Sequence, residues 1–215
     1  MTIFGIIDQI ITRFTSTLLL MWDQRYDTPE FVYGTAPNDF LADVISQMPR
    51  GLTLCIAEGE GRNAAFLAEH GHEVVAVDSS AVGLQKASRL ASERGVHVAT
   101  ITADLAHFDI EPDSWDAIVS IFAHVPPEIR RPLHRKVVQG LRSGGMLVLE
   151  AYTPEQIERG TGGPPLPELT MTLNALREEL DGLIFKHAVE LERDVIEGRF
   201  HTGKGAVVQL IAVKP

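Results

Sequence analysis

Leu54-Cys55-Ile56-Ala57-Glu58-Gly59-Glu60-Gly61-Arg62-Asn63 decides the fold. The apolar run from Leu52 to Ala57 predicts a buried strand. Gly59 and Gly61 then allow a tight turn and a close approach of backbone to a ligand. Ala64, Ala65, Phe66, Leu67 and Ala68 follow as a helical stretch, with Gly71 placed as its stop. A second apolar strand, Glu73 to Val77, ends in Asp78. Strand, Gly-rich turn, helix, strand and acid form the nucleotide-binding half of a Rossmann-like sheet. In such sheets the acid meets the ribose hydroxyls of a nucleoside.

Gly59-x-Gly61-x-x-Ala64 also satisfies the dinucleotide pattern, but Glu58 and Glu60 flank Gly59. A pyrophosphate docks on free N–H groups at a helix N-terminus, and two carboxylates there repel it. A sulfonium and an ammonium suit them better.

The sequence here resembles the class I S-adenosylmethionine (SAM)-dependent methyltransferases. Within them it is similar to the tellurite-resistance and thiol methyltransferase group. The resemblance rests on Trp22-Asp23-Gln24-Arg25-Tyr26, Tyr33-Gly34-Thr35-Ala36-Pro37-Asn38, the Ala57–Asn63 loop and the tail Glu197-Gly198-Arg199-Phe200-His201. It departs from the usual pattern at two positions. Cys55 stands where an acid is usual and Ala57 where a Gly is usual, so Glu58 is expected to take an electrostatic role toward the methionine end of SAM. As cofactor contacts the resemblance implies Tyr26, Tyr33, Glu58, Gly59, Gly61, Asn63, Asp78 and Ser79, then Asp104, Leu105, Ser120 and Ile121. Asp104 would accept from the adenine amino group, since a carboxylate only accepts. Phe122, Tyr152 and Arg199 are the candidates for the acceptor. His124 and His201 are candidate bases, because imidazole titrates near neutral pH. The bland alternatives are packed aromatics, a turn-forming Asp104 and solvated histidines.

The implied fold is α/β: a Rossmann-like, seven-stranded, mostly parallel sheet with helices on both faces and a C-terminal antiparallel hairpin. The remaining pattern agrees. A polar-aromatic segment, Trp22 to Asn38, leads into a helix Asp39–Met48 capped by Asn38 or Asp39. Ser79 or Ser80 caps a helix reaching Gly95. His97–Thr102 and Asp116–Phe122 are strands, the second apolar enough for burial on both faces. Pro126-Pro127 opens a helix reaching Arg142. Met146–Tyr152 is the fifth strand, and Thr153–Pro167 reads as a mobile loop. After a helix over Leu173–Leu180, the strands Leu183–Ile196 and Ala206–Lys214 flank a loop around Glu197–Lys204.

At 215 residues the chain is long enough for one domain with a sizeable core. Residues 21–215 read as that domain. Residues 1–20 read as an N-terminal extension, either an amphipathic helix (Phe4, Ile7, Ile11, Phe14 and Leu18 at helical spacing) or a non-native start before Met21. They fit neither a signal peptide nor a membrane span. A net charge of −10 argues against nucleic acid. The lone Cys55 implies no disulfide, and cytoplasm is the default location. No metal site is expected, since His70-Gly71-His72 lacks further ligands. The expected partner is a small-molecule acceptor, a thiol or metalloid oxyanion, with no nucleic acid and no membrane; the protein is a monomer or homodimer. Two alternatives stand: a nicotinamide-dependent oxidoreductase, and a SAM-binding protein without chemistry.

Overall fold

A computed structural model describes residues 21–215, so the two readings of residues 1–20 lie outside the described residues. Seven strands form one sheet in the order β3-β2-β1-β4-β5-β7-β6. They are β1 (Leu52–Ile56), β2 (Glu73–Asp78), β3 (Val98–Thr102), β4 (Trp115–Ile121), β5 (Leu141–Tyr152), β6 (Ile184–Glu197) and β7 (His201–Val213). β1 pairs in parallel with β2 and with β4, which makes the β1/β4 boundary the switch point of the sheet. β3 and β5 continue the parallel set outward, while β7 pairs antiparallel with both β5 and β6.

Alternation along β1 builds the two faces. Leu54 and Ile56 join Ile118, Leu147, Leu149 and Leu210 on one face, covered by Leu133 and Val137 of α4 (Pro127–Gly140) and Leu176 of α5 (Leu173–Glu179). Cys55 joins Ala117, Val119, Val148 and Ile211 on the other. That face is covered by Leu41 of α1 (Asp39–Val44), Leu67 of α2 (Arg62–Glu69) and Leu84 of α3 (Ala81–Glu93). The caps follow the sequence: the side chains of Asn38 and Ser80 accept from Leu41 N and Gly83 N, and Pro126 and Pro127 open α4.

Two boundaries differ from the sequence reading. α4 ends at Gly140, not Arg142, because the fully buried Leu141 already begins β5 by pairing with Trp115 of β4; Gly140 itself packs against Ile110, where a Cβ would lie 2.3 Å from Cγ2. The terminal hairpin has no long loop. β6 and β7 pair up to Glu197 and His201, leaving only Gly198-Arg199-Phe200 as the turn. Gly198 allows that turn to lie against Val32 and Tyr33, where a Cβ would come within 2.4 Å of backbone. His201 is therefore a buried strand residue and not a loop residue.

Candidate active site

A cavity of about 630 Å³ opens over the carboxyl ends of β1, β2 and β4, a volume ordinary for a small-ligand site. Ala57 and Glu58 line it after β1, Asp78 and Ser79 after β2, and Asp104 and Leu105 after β3. Ile121, Phe122 and His124 follow β4. Trp22, Arg25, Tyr26 and Tyr33 form one wall, residues 163–169 another, and His201 reaches in from β7.

The loop after β1 is shaped by its own carboxylates. Asp78 Oδ2 accepts from Gly59 N at 2.8 Å and Oδ1 from Ser80 N at 2.8 Å, so one side chain ties the Gly loop to the start of α3. Glu58 Oε1 accepts from Asn63 N and Ala64 N at 3.0 and 2.8 Å, satisfying free donors of the first turn of α2. Burial nevertheless raises the Glu58 carboxyl to about 7, against the lowering effect of those N–H groups and Arg62. Burial raises Asp78 as well. Glu60 turns to Lys86, 2.5 Å away, and accepts from Tyr33 N. Lys86 also donates to the carbonyls of Tyr26 and Glu30, pinning the aromatic segment to α3.

The two loop glycines do not face the cavity. Gly59 and Gly61 have φ of +60° and +88°, which the turn requires. Their open sides are taken by protein: a Cβ would meet Tyr26 Oη at 2.6 Å in one case and Ala87 Cβ at 2.4 Å in the other. Glycine at these two positions serves the turn and the packing of Tyr26 and α3. Ala57 holds φ +52°, the conformation a glycine adopts without strain.

The other sequence candidates divide. Asn63 lines the cavity, and its side chain accepts from Asn38 N. Tyr26 is buried and stacked on Trp22; Tyr33 is half-buried and its hydroxyl accepts from Arg25. Asp104 lines the cavity and also makes a local turn by accepting from Ala106 N. Ser120 is buried and off the wall, as is Tyr152, which packs behind Phe122 with ring centroids 4.5 Å apart. Arg199 is also off the wall, exposed and lying over the Phe200 ring. His124 has both nitrogens engaged: Nδ1 donates to the Leu169 carbonyl at 2.9 Å and Nε2 accepts from Tyr152 N at 3.3 Å. Burial lowers it to about 4, so the ring is neutral. Burial lowers His201 too, with Glu197 opposing.

A buried polar network behind the His201 side of the cavity was missing from the sequence reading. Glu150, fully buried in β5, accepts from Asn38 Nδ2 at 2.5 Å, from Arg193 at 2.7 Å and from Gln209 at 2.8 Å. Glu197 accepts from Asn38 at 2.8 Å, Arg193 at 3.1 Å and Arg62 at 2.5 Å. Burial favours the neutral acid, yet His201, Arg62 and Arg193 together hold Glu197 down at about 2. The signal for this network was present as a charged residue inside the apolar run Leu147–Tyr152.

Residues 53–145 match the profile of a family described as a methyltransferase domain. TehB from Haemophilus influenzae superposes with a TM-score of 0.68 at 19% identity, over 90% of this chain and 66% of that one. The N-methyltransferase NodS from Bradyrhizobium japonicum WM9, in complex with S-adenosyl-L-homocysteine, gives 0.69 at 15% identity over 92% and 98%. A structure bearing on the conversion of a disulfide bond into a thioacetal group during echinomycin biosynthesis gives 0.70 at 18% over 89% and 88%. The chain shares the fold of these structures. No curated protein matches the chain by sequence. The groups on this wall fit a nucleoside with an ammonium, as in SAM. Glu58, Asp78 and Asp104 are acceptors for hydroxyl, amine and ammonium donors, and the nearby cations are already neutralised, Arg62 by Glu197 and Lys86 by Glu60. A pyrophosphate would face carboxylates instead of free donors. Among the described residues no cluster of His, Cys, Asp and Glu could hold a metal ion, and no helix is long and apolar enough to cross a membrane.

Proposed function

We propose that this protein is a SAM-dependent methyltransferase acting on a small-molecule acceptor. The observation that carries the reading is the set of carboxylates at the ends of consecutive strands, Glu58, Asp78 and Asp104, on one cavity at the switch point of the sheet. Asp78 has lone pairs left over for the ribose hydroxyls once Gly59 N and Ser80 N are satisfied. Asp104 and Leu105 receive the adenine. Glu58, with Tyr26, Tyr33, Asn63 and Ser79 around it, attends the rest of the nucleoside and the methionine end. When bound, SAM supplies an electrophilic methyl on a sulfonium. The chain's own work is to place acceptor and methyl in line beside Ile121 and Phe122 and to exclude water, an effect of order 7–11 kcal/mol in favourable cases. Thiols and metalloid oxyanions are the acceptor classes to try first, because soft nucleophiles make the least demand on a base. Of the two histidines, His201 is the better candidate base, since both nitrogens of His124 are committed to backbone.

Calorimetry separates the readings. SAM and S-adenosyl-L-homocysteine bind and NAD does not; binding of NAD alone would restore the oxidoreductase. Transfer of labelled methyl to a panel of thiols, selenite and tellurite then tests the chemistry.

A further inference from the structure

His201 has an unusual setting. It is about nine-tenths buried, it lines the cavity, and its Nδ1 is buried with no hydrogen-bond partner. The nearest acceptor is Glu197 Oε2, at 3.8 Å. Behind it stands Tyr152, fully buried, whose hydroxyl also lacks a partner; the two ring centroids are 5.3 Å apart. Buried polar groups without partners cost roughly 1–3 kcal/mol each and mark places where function has set the arrangement. Phe122, adjoining both rings, holds φ +54°, a strained backbone for a bulky residue at the end of β4.

Resting on the methyltransferase reading above, we infer that Glu197 and His201 form a proton-accepting dyad at the acceptor end, and that the acceptor is an uncharged thiol. Glu197 is the positioning residue. It is fixed by Arg62, Arg193 and Asn38, and it faces the imidazole with a carboxylate that stays ionised. The acceptor sulfur gives its electron pair to the methyl carbon, the carbon–sulfonium bonding pair stays with the donor sulfur, and the thiol proton passes to His201. The resulting imidazolium is stabilised by Glu197 and returns the proton to solvent. Two features choose an uncharged thiol. The surrounding surface is aromatic, with Tyr33 and Phe122 at ring distances of 4.7 and 4.9 Å. A neutral imidazole is a weak base, matched to a thiol of pKa about 8.5 and not to an alcohol.

The test is a contrast of acceptors in the full chain. The groups facing His201 are Glu197 from β6, Arg62 from α2, Arg25 from the helical residues 21–26, and His124, Tyr33 and Tyr152. With 2-mercaptoethanol, His201→Asn is expected to lower kcat/KM about 100-fold. With thiobenzoate, ionised well below neutral pH, the same variant is expected to turn over nearly as wild type. Equal losses on both acceptors, or none on either, overturn the dyad. A second readout needs no turnover: the His201 imidazole titration followed by NMR. In Glu197→Gln its pKa falls by about one unit, the usual scale for losing a neighbouring opposite charge. An unmoved titration in a folded variant overturns the role of Glu197. Should Glu197→Gln fail to fold, Glu197→Asp keeps the charge and the acceptor contrast in His201→Asn still decides. Loss of SAM binding in the wild-type protein would instead sink the methyltransferase reading itself, which calorimetry distinguishes.

Discussion

Two buried carboxylates stand on either side of Arg62, and they behave in opposite ways. Glu58, in the cofactor loop, is bonded only to backbone N–H groups and is raised to about 7. Glu197, beside His201, is paired with Arg62 and Arg193 and held at about 2. Both are less than a tenth exposed, so burial alone does not decide the difference. What decides it is where the cations go. Arg62 begins α2, beside the Glu58 loop, yet its guanidinium reaches across to Glu197. The cofactor end is left with a carboxyl that shares protons near neutral pH, and the acceptor end receives a fixed anion.

The largest expected effect lies at the acceptor end. Glu150→Ala strips Arg193, Asn38 and Gln209 of a shared buried partner and should cost about 3–5 kcal/mol in urea unfolding. A loss under about 1 kcal/mol would mean the network is solvated, and the contrast with Glu58 would fall with it.

Next comes the pH response of Glu58. Its folded value lies above its ordinary 4.5, so the folded protein keeps a proton that the unfolded chain releases. The stability it contributes is fully present below about pH 4.5 and is lost as pH rises through about 7. Glu58→Gln mimics the protonated form at every pH. The variant should therefore be more stable than wild type at pH 8, by about 3 kcal/mol, and no more stable at pH 4.5. Parallel stability curves would break the comparison. Glu197 has the reverse sign: its contribution is present above the ordinary carboxylate value and lost as pH falls toward 2.

Asp78→Ala should weaken SAM binding by roughly 1–3 kcal/mol, read by calorimetry, because it removes a ribose acceptor and releases Gly59 N. An unchanged Kd would take Asp78 out of the cofactor site. The smallest effect is expected of Arg199→Ala. Its side chain is exposed over Phe200, so stability should move by less than about 0.5 kcal/mol and acceptor KM should be unchanged. A raised KM would bring Arg199 back to the acceptor.

The loop after β1 and its flanking elements were legible in the sequence because their signals are local. Glycine turn, strand, acid and cap fall within the single stretch Leu52–Ser80, and each leaves a residue-type mark at fixed spacing: Gly59, Gly61, Asp78, Ser80. The orientation of Glu60 was not legible, because its partner Lys86 sits on another helix and nothing in the loop announces it. The acceptor end is assembled over distance. Asn38 meets Glu150 across 112 positions and Glu197 across 159, and Arg62 meets Glu197 across 135. Such pairings depend on strand order and register, which hydrophobic periodicity does not specify. Glu150 did leave a trace, a lone charge in an apolar strand, and the Glu197–His201 tail stood out as a motif. That their carboxylates share one asparagine could come only from the antiparallel placement of β7 between β5 and β6.

Cys55 carries a consequence of a more practical kind. It is the only cysteine in the chain, it is fully buried in β1, and burial together with the neighbouring Glu58 raises its thiol well above the ordinary range. An alkylating reagent meets the thiolate, and here neither access nor ionisation is offered while α1, α2 and α3 cover that face of the sheet. Its labelling rate is thus a clock on that layer, whose α2 begins in the Glu58–Asn63 turn: each modified molecule records one opening, at one site, without a reporter having to be introduced. Ligands that hold the Glu58–Asn63 turn in place should slow the clock, and the ratio of the two rates gives the opening equilibrium with and without them.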